Sequence, residues 1–190
     1  AVSAFQERYG LEATGTLDAA TVDRISEARA HAVTLTSLLA MVPAGDADHM
    51  TAWLPQLNAS MWEAGCNSDA RKAAYIAQLA HETDHFRTLE EYASGKAYEG
   101  RKDLGNTERG DGTRFKGRGA IQTTGRANYT SASEALGPDF VENPELLQDP
   151  RWAFAAAAHF WNEHDLNRYS DRGDIRGQTR VINGGTNGLR

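Results

Sequence analysis

A single cysteine, Cys66, in 190 residues excludes an intrachain disulfide, so packing must hold the fold. In a helix-rich segment that thiol reads as a small buried apolar residue. Basic residues are in deficit: 20 Lys and Arg face 26 Asp and Glu, a net charge of −6. A nucleic-acid binder, which presents a basic face, is therefore not expected. An anionic polymer would be held by shape and hydrogen bonds, with little long-range attraction. Long apolar runs are also missing. The most apolar stretches, 38–42 and 154–161, are far too short to cross a bilayer. The N-terminus lacks the charged stretch and apolar run of a signal peptide. The expectation is a soluble monomer that neither inserts into a membrane nor binds nucleic acid.

Hydrophobic residues make up 40% of the chain, which suffices for a real core. The length suits one ordinary domain with, at most, a further fragment. Strand-period alternation persists nowhere, and the fold is predicted to be mainly α. Helical spacing runs from residue 26 to 42, then Pro43-Ala44-Gly45-Asp46 interrupts it. A second helix, 48–64, places Trp53, Leu57 and Met61 on one side, with a slight break at Pro55. A third is predicted over 70–86, capped by Asp69. Its stripe of Tyr75, Leu79, Glu82 and Phe86 points a carboxylate where the apolar residues point. Residues 91–118 are polar and carry Gly95, Gly100, Gly105, Gly110, Gly112 and Gly117. A loop of that length in a compact domain is functional more often than filler. Helix returns over 127–136. Asn143-Pro144 and Asp149-Pro150 each place a capping residue before a proline at the first helical position, and the helix 150–164 buries Phe154, Ala157, Phe160 and Trp161.

His81-Glu82-Thr83-Asp84-His85 supports two chemistries. As H-E-x-x-H on one helix, it would supply two zinc ligands and the base of a peptidase. As a buried Glu82 with incidental histidines, it would supply the acid of a glycosidase, because desolvation keeps a carboxyl protonated near neutral pH. A Glu82 satisfied by Arg71, Arg118 or another cation is the structural alternative. A glycosidase needs a second carboxylate, roughly 6.5–9.5 Å away in an inverting enzyme. Glu91 is nine positions on, about 13 Å of rise on an unbroken helix, so the helix must end between them. Glu90 and Glu99 compete for the same role. A binding module without turnover would keep the cleft and lose one carboxylate, yet both candidates are present.

Three blocks carry a resemblance. Ala77 to Thr83 (A-Q-L-A-H-E-T), Phe115 to Tyr129 (F-K-G-R-G-A-I-Q-T-T-G-R-A-N-Y) and Val181 to Gly185 (V-I-N-G-G) resemble, in order, glycoside hydrolase family 19. That family holds chitinases and lysozyme-like endolysins, and the similarity spans residues 35–190. It implies a lysozyme-like helical domain whose glycine-rich loop lines a substrate cleft, with no cofactor or metal. Position by position, it implies Glu82 as general acid and Glu91 as base, as in short-loop bacterial and phage members. Thr124 would orient the attacking water. His81 lies beside the acid, and Gln122, Asn128 and Asn183 line the sugar cleft; Arg118 and Tyr129 of the central block are further substrate-binding candidates. Amides and hydroxyls, which donate and accept, are what sugar hydroxyls require. One departure stands out: members often carry Gly-Gly after H-E-[ST], where this chain has Asp84-His85.

The first thirty residues, A-V-x-A-F-Q-x-x-x-G-L-x-x-T-G-x-L-D-x-x-T, resemble the later half of a peptidoglycan-binding repeat. The alternative is a helical hairpin packed on the main domain. Asp18 or Thr21 is the expected cap of its second helix. Together with the segment from Tyr92 to Arg101, which is similar to endolysin-type members, this half-repeat implies a peptidoglycan muramidase acting on the bacterial wall. Chitinase is the alternative substrate reading.

Overall fold

The computed structural model describes residues 2–183, the last of them by its backbone alone. The Asn183 side chain, expected to be a sugar ligand, therefore lies outside the described part of the structure, as does the end of the V-I-N-G-G block. The chain divides into two compact units, Ala1–Val33 and Thr34–Arg190.

The smaller unit is a helical pair, α1 (Val2–Arg8) and α2 (Ala19–His31). With few apolar side chains to bury, it is organised around a polar one. Gln6 is fully buried, its Nε2 2.9 Å from Thr14 Oγ1, the Thr16 carbonyl and Thr21 Oγ1. Its Oε1 accepts from Gly15 N at 2.8 Å. Asp18 is the cap, accepting from the Thr21 amide at 2.8 Å and from the Thr21 hydroxyl at 2.6 Å. The helix predicted over 26–42 is two helices. Thr34 interrupts it and recaps the chain through Ser37 N at 3.1 Å, since its side-chain oxygen offers the amide a local partner.

The larger unit is mainly helical, in keeping with the predicted class. Its elements begin with α3 (Leu35–Met41), α4 (Ala47–Glu63) and α5 (Asp69–Glu82). They continue with α6 (Asp111–Arg114), α7 (Arg126–Leu136), α8 (Pro150–Glu163), α9 (Asn167–Asp171) and α10 (Ile175–Asn183). α4 packs along α8, with Trp53 edge-on to Phe154 at 6.2 Å, and Tyr75 of α5 meets Trp161 of α8 at 4.7 Å. Pro55 does not break α4. It sits on the exposed side, where a carbonyl deprived of its donor faces water. Ser68, one residue earlier than expected, caps α5. Asn143-Pro144 opens a 3₁₀ turn, Pro144–Gln148, without a side-chain cap, while Asp149 caps α8 through Arg151 N. A second cluster of Phe115, Tyr129, Phe140 and Leu147 lies under the central motif block.

The helix predicted to reach Phe86 stops at Glu82. Thr83, fully buried, donates its hydroxyl to the Leu79 carbonyl at 2.7 Å and accepts from Phe86 N at 2.9 Å. Asp84, His85 and Phe86 then take φ values of 48°, 61° and 61°. The left-handed region costs an L-residue roughly 1–2 kcal/mol. Glycine, which the family resemblance leads one to expect after Thr83, would enter this region freely. The turn is clasped from outside by the segment before α4: Asp46 N donates to the His85 carbonyl at 3.1 Å, and Arg87 Nη2 to the Ala44 carbonyl at 2.6 Å. Phe86 still reaches the core, at 1% exposure, by this turn rather than by helical register.

Candidate active site

Glu82 ends α5 at the edge of an open cavity of about 330 Å³. His81, Asp84, Glu91, Tyr98, Gln122 and Thr124 are among its walls. The sequence motifs that lie forty residues apart thus meet, and backbone pairing explains how. Glu90 and Arg118 form an antiparallel bridge, and Arg118 forms another with Thr123. Glu91 N donates to the Gly117 carbonyl at 2.9 Å and Gly119 N to that of Leu89 at 2.8 Å. These pairings draw the start of the glycine-rich segment against the central block, so that Glu90, Glu91, Gln122 and Thr124 edge one cavity.

The two carboxylates have opposite surroundings. Glu82 Oε1 is buried with no hydrogen-bond partner among the described residues. Burial pushes its carboxyl up to about 7, because the charged form would be poorly solvated there. The cation-paired alternative does not hold: Arg71 is engaged with Asp171 at 2.6 Å and Arg118 with Glu90 at 3.4 Å. Glu91 is instead gripped by donors. Its Oε1 accepts from the Tyr98 hydroxyl at 2.9 Å and its Oε2 from Gly117 N at 3.0 Å. A Cβ at position 117 would stand 2.6 Å from Gln122 Oε1 and 3.2 Å from Glu91 Oε2, so a side chain there would displace the Gln122 amide and crowd Glu91.

The rival carboxylates are occupied otherwise. Glu90 pairs with Lys116 Nζ at 3.1 Å and accepts from Gln148 Nε2 at 3.0 Å, besides its contact with Arg118. Glu99 accepts from Gly110 N at 2.7 Å and Gly112 N at 2.9 Å, shaping the glycine-rich segment away from the cavity.

Thr124 lines the cavity and donates its hydroxyl to the Gln122 carbonyl at 2.8 Å, so its oxygen remains an acceptor. Gln122 adopts φ 54°, which turns its side chain to the cavity wall. Asn128, exposed on α7, donates to the Thr124 carbonyl at 2.8 Å and borders a neighbouring cavity. Two expected sugar ligands lie behind the cavity wall. Tyr129 is fully buried, donating to the Lys116 carbonyl at 2.7 Å and accepting from Arg118 Nη1 at 3.0 Å. Arg118, 9% exposed, is spent on Tyr129, Glu90 and the Arg114 carbonyl. Both brace the block from behind and do not line the cavity. Tyr98 and Gly117 were not singled out by sequence; their signal was only membership of the quoted segments.

The zinc geometry is not formed. His81 belongs to α5, whereas His85 lies past its end at φ 61°, so the two rings do not share a helical face. Among the described residues, His, Cys, Asp and Glu side chains nowhere gather in threes to hold a metal.

A helical domain whose cleft sets a desolvated carboxyl, Glu82, beside a carboxylate held by donors, Glu91, has the makings of a glycoside hydrolase. The comparisons with known proteins agree. Residues 58–184 match the family described as chitinase class I, and the chain belongs to that family, glycoside hydrolase family 19. Residues 1–25 match a peptidoglycan binding domain. The chain is 27% identical over 164 residues to a glycosyl hydrolase family 19 domain-containing protein of Haemophilus influenzae, covering 70% of this chain and 80% of that one. It is 37% identical over 120 residues to an endochitinase of Arabidopsis thaliana, covering 62% of this chain but 41% of the relative. Chitinase C from Streptomyces griseus superposes with a TM-score of 0.62 at 25% identity, over 80% of this chain and 66% of that one. A class IV chitinase from Zea mays does so at 0.59 and 25%, over 80% of each.

Proposed function

We propose that this glycoside hydrolase cleaves the β-1,4 bond between N-acetylmuramic acid and N-acetylglucosamine of peptidoglycan by a single displacement with inversion. Glu82 protonates the leaving glycosidic oxygen. Glu91 takes a proton from a water held by Thr124, and that water attacks the anomeric carbon from the opposite face. The observation that carries this reading is the contrast between an unpartnered, desolvated Glu82 and a donor-held Glu91 in the same cavity. Desolvation keeps the Glu82 carboxyl protonated toward neutral pH, as a general acid requires. His81 and Gln122 flank the reacting sugar, and Asn128 borders the path next to it.

The choice of peptidoglycan rests on the wall-binding match of residues 1–25. In this reading, residues 1–30 are part of a wall-binding module and 35–190 the catalytic domain of a monomeric endolysin or wall hydrolase. No described helix is long and apolar enough to cross a membrane. Chitin is the second reading, favoured by relatives named endochitinases. Digestion of purified peptidoglycan and of chitin oligomers in parallel, with mass spectrometry of the new ends, separates them. New reducing-end N-acetylmuramic acid is the expected product; cleavage of chitin oligomers alone would make the enzyme a chitinase.

A further inference from the structure

A second cavity, of about 200 Å³, adjoins the first and shares Gln122 and Thr124 with it. Its lining is of two kinds. Leu104, Ile121 and Phe160 give an apolar floor, while Asn128, Ser131 and His159 give a polar side. His159 Nε2 lies 3.2 Å from Ser131 Oγ and 3.7 Å from Glu163 Oε2, so a single ring nitrogen faces both. The catalytic reading uses neither His159 nor Ser131. Because the acid contacts the same nitrogen as the hydroxyl, the group is not arranged as a nucleophilic triad, in which the acid holds the far nitrogen. Its remaining donors and acceptors suit a bound amide.

We propose that this cavity seats the lactyl-alanyl arm of N-acetylmuramic acid, the start of the stem peptide. The inference rests on the muramidase reading above. In that reaction, the water on Thr124 attacks the anomeric carbon of the muramic acid ring, so this is the sugar lying against Thr124. Its 3-O-lactyl group leaves the same ring two carbons away, beside a cavity that Thr124 also lines. The arm is a pair of methyl groups joined by a neutral amide. The methyls match the apolar floor, and the amide matches Ser131, His159 and the Asn128 amide. Glu163 at the rim disfavours a carboxylate, which selects the peptide-linked arm over a bare lactate. Chitin has nothing to place here.

The test uses peptidoglycan strands with stem peptides, the same strands stripped by an amidase, and chitin oligomers. Wild type is expected to cleave the peptide-bearing strands with kcat/KM about tenfold above the stripped ones. His159→Ala and Ser131→Leu should abolish that preference and leave cleavage of stripped strands within about twofold of wild type. Thermal denaturation would check that each variant is folded. As a second readout, muramyl dipeptide titrated into the Glu82→Gln chain should shift the His159 ring resonances, and should not do so when Ser131→Leu is added. Equal cleavage of stripped and intact strands by wild type would overturn the inference alone. Equal loss on both substrates in the variants would make the cavity a sugar subsite and also overturn it. Cleavage of chitin oligomers with both peptidoglycan preparations untouched would overturn the muramidase reading, and this inference with it.

Discussion

The hydroxyl of Tyr98 donates to Oε1 of Glu91 across 2.9 Å, and that bond fixes the direction in which the carboxylate faces the cavity. Asn106 holds Tyr98 in turn. Fully buried, it donates to the Tyr98 carbonyl at 2.9 Å and accepts from Arg126 N at 2.9 Å, tying the loop to the start of α7. A hydrogen bond to a charged group contributes about 1.5–3 kcal/mol. Tyr98→Phe should therefore lower kcat roughly tenfold or more with little change in KM, measured by steady-state kinetics on defined strands. An unchanged kcat would remove Tyr98 from the positioning of the base.

Glu91 and Glu90 are neighbours with different duties, and substitution should separate them. Glu91→Gln is expected to retain the fold and lose nearly all turnover. Glu90→Gln is expected to keep a working site but lose about 1 kcal/mol of stability, since Lys116 and Arg118 lose their shared carboxylate. If Glu90→Gln were the more damaging to kcat at equal folding, the base would have been misassigned.

Glu82 should govern both the pH profile and part of the pH dependence of stability. Its carboxyl titrates at about 7 in the fold against 4.5 in the unfolded chain. Between those values the folded state holds the extra proton, so stability falls as pH rises through this window and levels off above it. Glu82→Gln, neutral throughout, should abolish turnover and be more stable than wild type at pH 8, by on the order of 1–3 kcal/mol. The advantage should vanish near pH 4. Wild-type kcat/KM should decline above about pH 7 as the acid loses its proton. Retained activity in Glu82→Gln would refute its role.

Thr83 ends α5 and starts the turn behind the acid. Thr83→Val keeps the shape but removes the hydroxyl, stranding Phe86 N, while the Leu79 carbonyl retains only the backbone amide of residue 83. Urea denaturation should show a loss of about 1–3 kcal/mol, largely restored in Thr83→Ser. Equal stabilities would mean that water serves as well.

His85, exposed at φ 61°, tests the strain in the same turn. His85→Gly should equal or exceed wild type in stability, because glycine enters this region freely. His85→Val should lose about 1 kcal/mol or more, as a β-branched residue is poorly tolerated there. Indistinguishable melting temperatures for the two variants would show that the turn relaxes.

The helices were legible because their signals are local. Asp149-Pro150 wrote the start of α8, and the stripe through Tyr75 and Leu79 wrote the buried face of α5. Glu82 could be placed on that face from periodicity alone. Where the reading failed, a side chain captured the backbone. Thr83 stopped α5 four residues early, and Thr34 split the helix predicted over 26–42; a hydroxyl in a helical pattern carries no mark of whether it will bond the backbone.

The sequence by itself determined the helical class, the family blocks and the apolar setting of Glu82, all of which depend on neighbours along the chain. Tertiary structure alone decided which donors meet each of the candidate carboxylates after Glu82. Glu90, Glu91 and Glu99 are alike as residues and differ only in what comes back to meet them: Lys116 and Arg118 for the first, Tyr98 and Gly117 for the second, the amides of Gly110 and Gly112 for the third. It also moved Arg118 and Tyr129 from the cleft to the brace behind it, since burial of a motif residue depends on which face of its block is turned inward. The partners that set these roles come from chain segments up to twenty-eight positions away (Glu90 to Arg118), and no local pattern encodes their approach.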